Sequence, residues 1–586
     1  MAEQIISPGV FQRENDISFI QPAPVEVGAA IIGPTVKGPV EDPTIVRSYN
    51  EYVRVFGDIL EFSGSNYEYF TSMAAKSYFE QGGNSILVSR VVSGSFTKAE
   101  STHISASSYN SVEPFTLGTL GKGAVYNNAT ASAPETPELN SDGSLVSGSS
   151  DNLRWEINNV NTSSGTFSLS VRRGDDRDKA KVILETFNDL SLDPNSPNWI
   201  AAVIGTQTRS ISADGTTIIS TGDHPNRSNY IYVASTPASG STINYLKADG
   251  ISIGSSSIDD KPYDQILPIE TSGSFYNATG HTAPSASMKF CEYAANTSNY
   301  NQGIHNDNYT ATITLLENKD EFKYNILSAP GISHAGHTSV FNSLVSLVES
   351  RGDAIFVGDL HGHGQTVSTI EGQAKNVNSS YAATYWPWVQ VLSATGKSCW
   401  VPSSVVIPGT YAFTDGANAP WFAPAGLVRG GLVGVIQAER RLTRTQRDTL
   451  YRGKVNPIAT FPGTGIAVFG QKTLQTKASA LDRVNVRRLL IALKEFIGNQ
   501  ANNLVFEQNT VATRNSFLAA VNPYLDSVVQ RQGLYAFRVV MDDTNNTADV
   551  VDRNQLVGQI FIQPTKTAEF IVLDFVVEPT GATFGN

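Results

Sequence analysis

Hydrophobic residues recur with strand and helix periods over residues 21–94, and this pattern predicts a mixed layer of strands and helices. The segment VEVGAAIIGPTVKGPV predicts a strand, a turn and a second strand, because Gly-Pro pairs interrupt its apolar runs. SYNEYVRVFG predicts a short capped helix that ends at Gly57, and NSILVSRVV predicts a buried strand. Strands that alternate with helices are typical of α/β folds. Residues 1–20 lack helical periodicity and are predicted to form an extended arm, which needs a partner strand for stability.

The pattern changes after about residue 94, where short β segments separated by turn residues continue to about residue 340. Between Ser101 and Ser150, 25 of the 50 residues are Ser, Thr, Asn or Gly. DNLRWEINNV, GTFSLSVRRG and NYTATITLLE are examples of the short β segments. A helix followed by a buried strand then resumes in SVFNSLVSLVESRGDAIFVGDL. We therefore expect a β-rich insert on the surface over residues 95–340, divisible into 95–180 and 181–340, within a core formed by 21–94 and 341–500; the resemblance described below implies that this insert faces outward.

The last third of the chain is the most strongly patterned. GLVGVIQAERRLTRTQRDTLYRGKVNPI predicts a helix that is broken before Pro457. DRVNVRRLLIALKEFIGNQ predicts a second helix with Asp482 at its N-terminus. The apolar face of this helix comprises Val486, Leu489, Leu490, Leu493, Phe496 and Ile497. Three apolar strands follow in a C-terminal domain over residues 501–586, and the last of them is EFIVLDFVVEP.

Positive charge is concentrated in one part of an acidic protein. The 586 residues carry a formal net charge of -12. From Gly426 to Gln500, however, there are 13 Lys and Arg residues against 4 Asp and Glu residues, a local balance of +9. Such a patch indicates a negatively charged partner surface. The sequence begins without a basic region and long apolar run, and it contains no uninterrupted apolar run of about 18 residues, so neither a secretory signal nor a membrane span is expected. The two cysteines, Cys291 and Cys399, are expected to be reduced thiols.

Two short motifs resemble parts of known enzyme sites but lack the required context. TGKS, which ends at Ser398, matches the end of a phosphate-binding loop, but Val391 occupies the position at which that loop requires glycine. GISIG around Ser252 matches a nucleophile elbow, but a polar run follows it instead of a helix. We therefore expect no nucleotide or cofactor site from either motif.

The loop DLHGHG is the most enzyme-like feature of the sequence. Asp359, His361 and His363 follow a predicted buried strand, at spacings that could hold a metal ion. Three candidate ligands in one loop do not complete a site, because no fourth partner can be named. A hydrolase that uses DLHGHG or GISIG is kept as a distant alternative, and the expectation is that the chain has no catalytic, cofactor-binding or metal residues.

The basic segment that follows Asp482 has three interpretations. Its cations are Arg483, Arg487, Arg488 and Lys494. Nucleic-acid binding would require interleaved aromatic residues, whereas the aromatic residues present fit core positions better. A solvated helix face would pair its arginines with acids four residues away, and few acids are available. We favour docking on an acidic protein surface, because arginine forms bidentate contacts with carboxylates.

Several long segments resemble a known family. The chain resembles the contractile tail sheath proteins of long-tailed (myovirus-type) bacteriophages in three segments, which are PAGLVRGGLVGV, LTRTQRDTLYRGKVNPIATFPGTGIAVFGQKT and ALDRVNVRRLLIALKEFI. VMDDTNNTADVVDRNQLVGQIFIQPTKTAEFIVLDFVV continues this resemblance. Near the other end, SPGV, GPTVKGPVEDP and VFG fit the N-terminal pattern of the family. The resemblance covers about residues 5–92 and 380–580 and is weak over 95–340, where sheath proteins carry variable inserts.

The resemblance implies a structural protein without catalysis. Sheath subunits form hexameric rings that stack as a helical tube around an inner tail tube protein, together with baseplate and tail terminator proteins. They contract irreversibly and drive the tube through the host cell envelope for genome delivery. The implied location is the tail of a virion assembled in the host bacterial cytoplasm, with no direct nucleic-acid binding and no membrane insertion. The sheath of a phage-derived extracellular injection system or tailocin remains an alternative.

The resemblance also implies that N- and C-terminal arms link neighbouring subunits by adding strands to each other's sheets. The N-terminal arm residues are Ser7, Pro8, Gly9, Val10 and Phe11. The residues of the paired C-terminal strand are Phe570, Ile571, Val572, Leu573 and Phe575. The four cations of the basic segment are expected to contact the tube or a neighbouring subunit.

Overall fold

A computed structural model describes residues 27–62, 65–106, 113–126, 139–162, 164–194, 196–236, 267–280, 299–463 and 465–569. The helices in these ranges are α1 (Tyr49–Phe56), α2 (Phe70–Glu80), α3 (Ile200–Ile204), α4 (Thr310–Leu315), α5 (Thr338–Arg351), α6 (Val367–Ala374), α7 (Ser403–Ala417), α8 (Gly426–Arg429), α9 (Arg444–Arg452), α10 (Val484–Asn502), α11 (Val511–Gln530) and α12 (Ala548–Asp552).

The strands up to residue 235 are β1 (Val27–Gly33), β2 (Thr44–Val46), β3 (Ile59–Phe62), β4 (Ser65–Glu68), β5 (Ile86–Arg90), β6 (Lys98–Ser101), β7 (Thr116–Lys122), β8 (Leu153–Asn161), β9 (Thr166–Arg173), β10 (Ile183–Leu190), β11 (Thr208–Ile211), β12 (Ile218–Thr221) and β13 (Ile231–Ser235). The later strands are β14 (Thr271–Tyr276), β15 (Tyr300–Asn301), β16 (Ile304–His305), β17 (Tyr324–Ser333), β18 (Ile355–Asp359), β19 (Ala382–Trp386), β20 (Val389–Leu392), β21 (Ser398–Val401), β22 (Val435–Ala438), β23 (Asn456–Phe461), β24 (Gly465–Val468), β25 (Leu534–Val540) and β26 (Gln559–Pro564).

An eight-stranded sheet organises the core, in the order β2-β5-β1-β17-β18-β19-β23-β24. The inner strands from β5 to β23 are parallel, whereas β2 and β24 are antiparallel to their neighbours. Strand β1 lies between β5 and β17, because Ala29 pairs with both Ile86 and Ile326. Strands β5 and β17, which are far apart along the chain, therefore belong to the same sheet. The predicted mixed α/β class is confirmed, while the domain boundaries and the terminal arms remain predictions.

Both faces of this sheet are covered by helices. Ala29 and Ile31 of β1 pack with α2 and α7 on one face. Ala30 and Ile32 pack with α5 and α6 on the opposite face. Successive residues of a strand point to opposite faces, so a parallel sheet that is covered on both sides needs apolar residues at nearly every position. This requirement explains the continuous apolar runs in these strands.

Local sequence signals set several helix ends as predicted. The side chain of Ser48 accepts a hydrogen bond from the Glu51 N–H at 3.2 Å, and α1 ends at Gly57, whose φ is 69°. The second strand predicted in VEVGAAIIGPTVKGPV was wrong, since the chain between β1 and β2 is irregular. Proline has no N–H for a sheet ladder, and the carbonyl of Gly38 instead accepts a hydrogen bond from buried Arg90 at 2.7 Å.

A second sheet of seven antiparallel strands lies between β5 and β17 along the chain, in the order β10-β9-β8-β14-β6-β7-β13. Trp155, Leu169 and Phe275 are among its buried core residues. DNLRWEINNV and GTFSLSVRRG form the paired strands β8 and β9, as predicted. NYTATITLLE was predicted as a β segment but forms helix α4, whose Ile313 and Leu315 pack into the core beneath the parallel sheet.

A buried ion cluster lies at one end of the seven-stranded sheet. Asp176 accepts a hydrogen bond from Arg154 at 2.8 Å and one from the Nε of Arg172 at 2.7 Å. The side chains of Asp176 and Arg172 are fully buried, and that of Arg154 is almost so. Glu156 adds a further contact to Arg172 at 3.1 Å. One deeply buried carboxylate therefore serves two deeply buried guanidinium groups.

The C-terminal region packs the β25–β26 hairpin against helices α10 and α11. Leu489 of α10, Phe517 and Val521 of α11, and Leu534 of β25 belong to one buried cluster. The single long helix predicted for GLVGVIQAERRLTRTQRDTLYRGKVNPI was wrong. That segment forms β22, α9 and the start of β23 in succession, because glycines interrupt it and β22 pairs with β20.

Candidate functional site

Asp359 of the DLHGHG loop is a structural carboxylate. It is 3% exposed and accepts hydrogen bonds from the Ser403 hydroxyl at 2.9 Å and the Ser404 N–H at 3.2 Å. A third hydrogen bond comes from the Ser404 hydroxyl. The carboxylate thus satisfies the N-terminus of α7 from the end of a different element, β18. Burial raises the pKa of Asp359 to about 6, against the opposing effect of these hydrogen bonds.

The two histidines of this loop do not converge on Asp359 as metal ligands. His361 Nδ1 accepts a hydrogen bond from the neighbouring Gly362 N–H at 2.8 Å, and burial lowers the pKa of His361. The ring of His363 lies against Trp388 and Trp400, at centroid distances of 5.9 and 5.0 Å. In the part of the chain that the structure describes, no three His, Cys, Asp or Glu side chains form a group that could hold a metal.

The other enzyme-like motifs give no site either. TGKS forms the turn between β20 and β21, and the preceding Ala394 N–H donates to buried Glu68 at 2.7 Å. Ser252 of GISIG lies outside the described residues. Cys399 is buried and disulfide-bonded, which corrects the expectation of a reduced thiol; its partner lies outside the described residues. No helix in the described ranges is long and apolar enough to cross a bilayer.

Replacing Asp359 with asparagine is expected to remove a pH dependence from the stability of the core. Because the pKa is about 6 in the folded chain and 3.8 ordinarily, the unfolded chain releases this proton at lower pH. The wild-type chain therefore loses about 1–3 kcal/mol of stability, relative to Asp359→Asn, as pH rises through this window. Thermal unfolding of both chains across the window measures the difference. Asp320→Asn, at an exposed position, is the matched control; parallel pH profiles for wild type and Asp359→Asn would contradict the prediction.

Helix α10 begins one residue later than expected. Arg483 occupies the N-cap position without a side-chain cap, and Asp482 belongs to the preceding 3-10 turn. The prediction that Asp482 is the N-cap or a first-turn acid of this helix was therefore wrong. Its carboxylate instead pairs with the Arg483 guanidinium at 2.8 Å. Local sequence could not distinguish these alternatives, because both place an acid beside the first turn.

Two of the predicted contact arginines, Arg487 and Arg488, are buried in α10, with 4% and 3% exposure. Arg488 pairs with the carboxylate of Asp415 and lies 4.6 Å from the centroid of the Tyr411 ring. Arg487 donates to the Ser380 carbonyl at 3.2 Å and also to the Ser380 hydroxyl. These contacts lie within one chain and favour a role inside the subunit. Docking through these two arginines stays a prediction, and it would require that both be uncovered.

Arg483 and Lys494 are more accessible. Lys494 is exposed and its Nζ donates to the Tyr381 hydroxyl at 3.2 Å. Arg483 makes a bidentate contact with Glu569, at 2.7 and 3.0 Å. Glu569 also accepts hydrogen bonds from the Tyr451 hydroxyl at 2.6 Å and the Gln471 amide at 3.1 Å. Although burial acts to raise the pKa of Glu569, these hydrogen bonds hold it below its usual value. The end of the described chain is thus fixed by a charged clamp.

The β25–β26 hairpin presents an incomplete sheet. Phe537 and Ile562 pair across the hairpin and face the helices beneath it, whereas Tyr535 and Phe561 are 63% and 56% exposed. Within the described residues, neither outer edge of this sheet pairs with another strand. Isolated two-stranded sheets are marginally stable, and a free edge can accept a further strand. The arm residues Ser7–Phe11 and the predicted strand residues 570–575 lie outside the described residues.

Comparison with protein families identifies the region that contains this hairpin. Residues 302–474 match the family model described as the phage tail sheath protein central domain, and residues 476–578 match the phage tail sheath C-terminal domain. We refer to residues 302–578, which these two models match except at residue 475, as the sheath-family region. The resemblance to contractile tail sheath proteins of myovirus-type bacteriophages is thereby confirmed.

Individual relatives of the sheath-family region are tail sheath proteins of phages. The chain is 38% identical over 246 residues to the tail sheath protein of Vibrio phage KVP40, covering 41% of this chain and 37% of that protein. It is 40% identical over 210 residues to the tail sheath protein of Enterobacteria phage T4, covering 36% of this chain and 32% of that protein. The chain therefore matches only about a third of the length of these two relatives.

The fold is shared with a solved sheath protein. The crystal structure of the sheath tail protein Lin1278 from Listeria innocua has a TM-score of 0.50 and 10% sequence identity. The similarity covers 92% of this chain and 96% of that protein. At this identity the comparison concerns the fold alone.

A cluster of exposed arginines in the sheath-family region lies on and before α9, which sequence reasoning did not single out. Its exposed arginines are Arg440, Arg441, Arg444 and Arg452. Exposed apolar residues, Val428, Val433 and Ile436, lie on the neighbouring elements α8 and β22 and the loop between them. A capping box signals the start of α9, because Thr443 and Gln446 exchange hydrogen bonds between side chain and backbone. Reading that signal would have separated α9 from the longer helix and placed its arginines at the surface.

Proposed function

We propose that this chain is the structural subunit of a contractile phage tail sheath. In this proposal the subunits polymerise as stacked hexameric rings around a tail tube, between baseplate and terminator proteins. They then contract irreversibly and drive the tube through the host cell envelope for genome delivery. The assembly belongs to the tail of a virion and is built in the host bacterial cytoplasm. The family match over residues 302–578 supports a sheath role.

The observation that carries the proposal is the incomplete sheet of the C-terminal region. The β25–β26 hairpin buries one face against α10 and α11 and leaves both edges without a strand among the described residues. Added strands would satisfy the edge N–H and C=O groups through main-chain hydrogen bonds. A terminal arm of another subunit supplies such a strand, because residues 1–20 lack helical periodicity and residues 570–575 are mostly apolar.

Strand exchange gives a physical route to contraction. The parallel core is covered on both faces and moves as a rigid body, while the arms keep neighbouring subunits connected. Contraction is then a change between two packings of the same subunit, and the packing of lower free energy performs the work. In this proposal the tube-facing surface is basic and contacts an acidic surface of the tube. The exposed arginines on and before α9 fit that surface better than the buried arginines of α10.

Deleting residues 1–14 should abolish polymers and leave a folded monomer. The N-terminal arm supplies the linking strand, whereas the described core does not include these residues. Negative-stain electron microscopy should show long striated tubes for the full chain and none for the truncated chain. Equal thermal unfolding of the two chains is the control for folding. Normal tubes from the truncated chain would rule out the arm, and a full chain that forms no tubes under any assembly condition would rule out the sheath.

A further inference from the structure

A cavity of about 600 Å³ separates α9 from the last described segment of the chain. One wall is aromatic and comprises Trp421, Phe422 and Phe469, of which Phe469 is 45% exposed. Residues 565–569 also line the cavity. A cavity lined by aromatic side chains and by a stretch of main chain is suited to an extended peptide that carries apolar side chains.

The cavity is positively charged. Arg429, Arg444, Arg447 and Lys566 line it, against the carboxylates of Asp448 and Glu569. Glu569 is already neutralised by its bidentate contact with Arg483. Arg447 lies over the rings of Phe461 and Phe469, at 5.3 and 5.4 Å. The unneutralised charge on the walls is therefore cationic and favours an acidic ligand.

Two buried acceptors in the cavity walls have no donor. The Oε1 of Gln471 and the Oδ1 of Asn485 lack hydrogen-bond partners among the described residues, and the side chains are only 3% and 4% exposed. A buried acceptor without a donor costs about 1–3 kcal/mol. The N–H groups of an extended peptide would donate hydrogen bonds to both acceptors. The side-chain nitrogen of Gln471 already donates to the Thr567 hydroxyl at 2.5 Å.

The chain itself supplies a segment with the required chemistry at the edge of the cavity. Residues 570–586 contain Asp574 and Glu578 and no Lys or Arg. They also contain the apolar runs FIVL and FVV. Extended, 17 residues reach about 55 Å, far more than the cavity requires. The clamp fixes Glu569, the residue that precedes this segment, in the cavity lining.

We propose that, in the unassembled subunit, this cavity binds the chain's own residues 570–586. The aromatic wall takes apolar side chains, the arginines take Asp574 and Glu578, and Gln471 and Asn485 accept main-chain hydrogen bonds. Tethering favours the chain's own segment over that of another copy, because a short tether gives an effective concentration on the order of mM. Release of the segment exposes it for pairing elsewhere. Binding in the free subunit does not depend on the proposed sheath function.

A labelled peptide of residues 570–586 tests this proposal against the full-length chain. Fluorescence anisotropy should show that Asp574→Lys/Glu578→Lys, which releases the tethered segment, binds the added peptide at least about tenfold more tightly than wild type. Adding Arg444→Glu/Arg447→Glu to that variant should abolish binding. Arg444→Gln/Arg447→Gln provides a second, milder version in case charge reversal impairs folding. Arg440→Glu/Arg441→Glu, outside the cavity lining, should leave binding unchanged.

Two results would overturn the proposal. Equal peptide affinity of wild type and Asp574→Lys/Glu578→Lys would show that the tethered segment does not occupy the cavity. The second result comes from light scattering, which measures whether the wild-type chain is a monomer or a dimer. If wild type forms dimers that Arg444→Glu/Arg447→Glu loses, the segment of a second copy occupies the cavity instead. A monomeric wild type that binds the peptide at least about tenfold more weakly than Asp574→Lys/Glu578→Lys supports the proposal.

Discussion

Replacing Asp176 with alanine is expected to unfold the seven-stranded sheet while the eight-stranded sheet remains folded. Asp176 accepts hydrogen bonds from Arg154 and Arg172 at 2.8 and 2.7 Å, and all three side chains are buried. The substitution leaves two guanidinium groups without this carboxylate. Loss of one partner from a buried ion pair costs about 3–5 kcal/mol. Because a domain is stable by only about 5–15 kcal/mol, a loss that affects two pairs removes most of this stability.

Limited proteolysis and calorimetry measure this effect. Cleavage should move to residues 98–276, and one of two thermal transitions should fall in temperature or disappear. Asp175→Ala is the matched control, since Asp175 pairs with Arg173 at the surface and such pairs contribute about 0–1 kcal/mol. If Asp176→Ala resists protease as wild type does, or if both transitions fall together, the sheet is not an independent folding unit that depends on this cluster.

Replacing Arg488 with alanine is expected to destabilise the core by about 3–5 kcal/mol, because the carboxylate of Asp415 loses its buried partner. The loss also removes the contact with the Tyr411 ring at 4.6 Å. The midpoint temperature of the thermal unfolding of the core should fall by on the order of 10 °C. Replacing both partners, with Arg488→Met and Asp415→Leu, should recover much of the loss because neither charge is then left buried alone.

Arg452→Ala provides the matched control for the Arg488 substitution. Arg452 is exposed at the end of α9, and its truncation should change stability by less than about 0.5 kcal/mol. The alternative role of Arg488, docking on a tube or a neighbouring subunit, makes the opposite prediction. If Arg488 has that role, the Arg488→Ala variant would unfold at the wild-type temperature. Only its assembly would be weaker, and the size of that effect would depend on the salt concentration.

Segments whose structure is set by adjacent residues could be predicted from the sequence. Ser48 and Gly57 bound α1 through a local cap and a left-handed backbone, and both signals are visible in SYNEYVRVFG. Glycine at 352 ends α5 in the same way, with φ of 69°. NYTATITLLE shows the limit of such reasoning. Its β-branched residues favour a strand, but burial of Ile313 and Leu315 in the core favours a helix instead.

The burial of the α10 arginines could not be predicted from the sequence, because the residues they contact are distant along the chain. Asp415 and Ser380 lie 73 and 107 residues before the arginines they contact. The apolar periodicity of DRVNVRRLL indicated one buried face, whereas the helix lies between two clusters that contain Val484 on one side and Leu489 on the other. A helix between two cores buries charged residues when each finds a partner. The cavity beside Glu569 likewise required the folded arrangement, since its walls come from separate parts of the chain.

The order β5-β1-β17 has a mechanical consequence. Because β5 and β17 are both parallel to β1, the chain leaves β5 at the carboxyl edge of the sheet and enters β17 at the amino edge. Before it reaches β17, however, the chain already returns to the carboxyl edge, where the Asn299 N–H donates to the Gly336 carbonyl at 3.0 Å and the Asn301 side-chain amide donates to the Pro330 carbonyl at 2.9 Å. The seven-stranded sheet is thus joined to the core by two connections at one edge of the parallel sheet. A force on the seven-stranded sheet is divided between these two connections, which resist rotation of the sheet better than a single connection would.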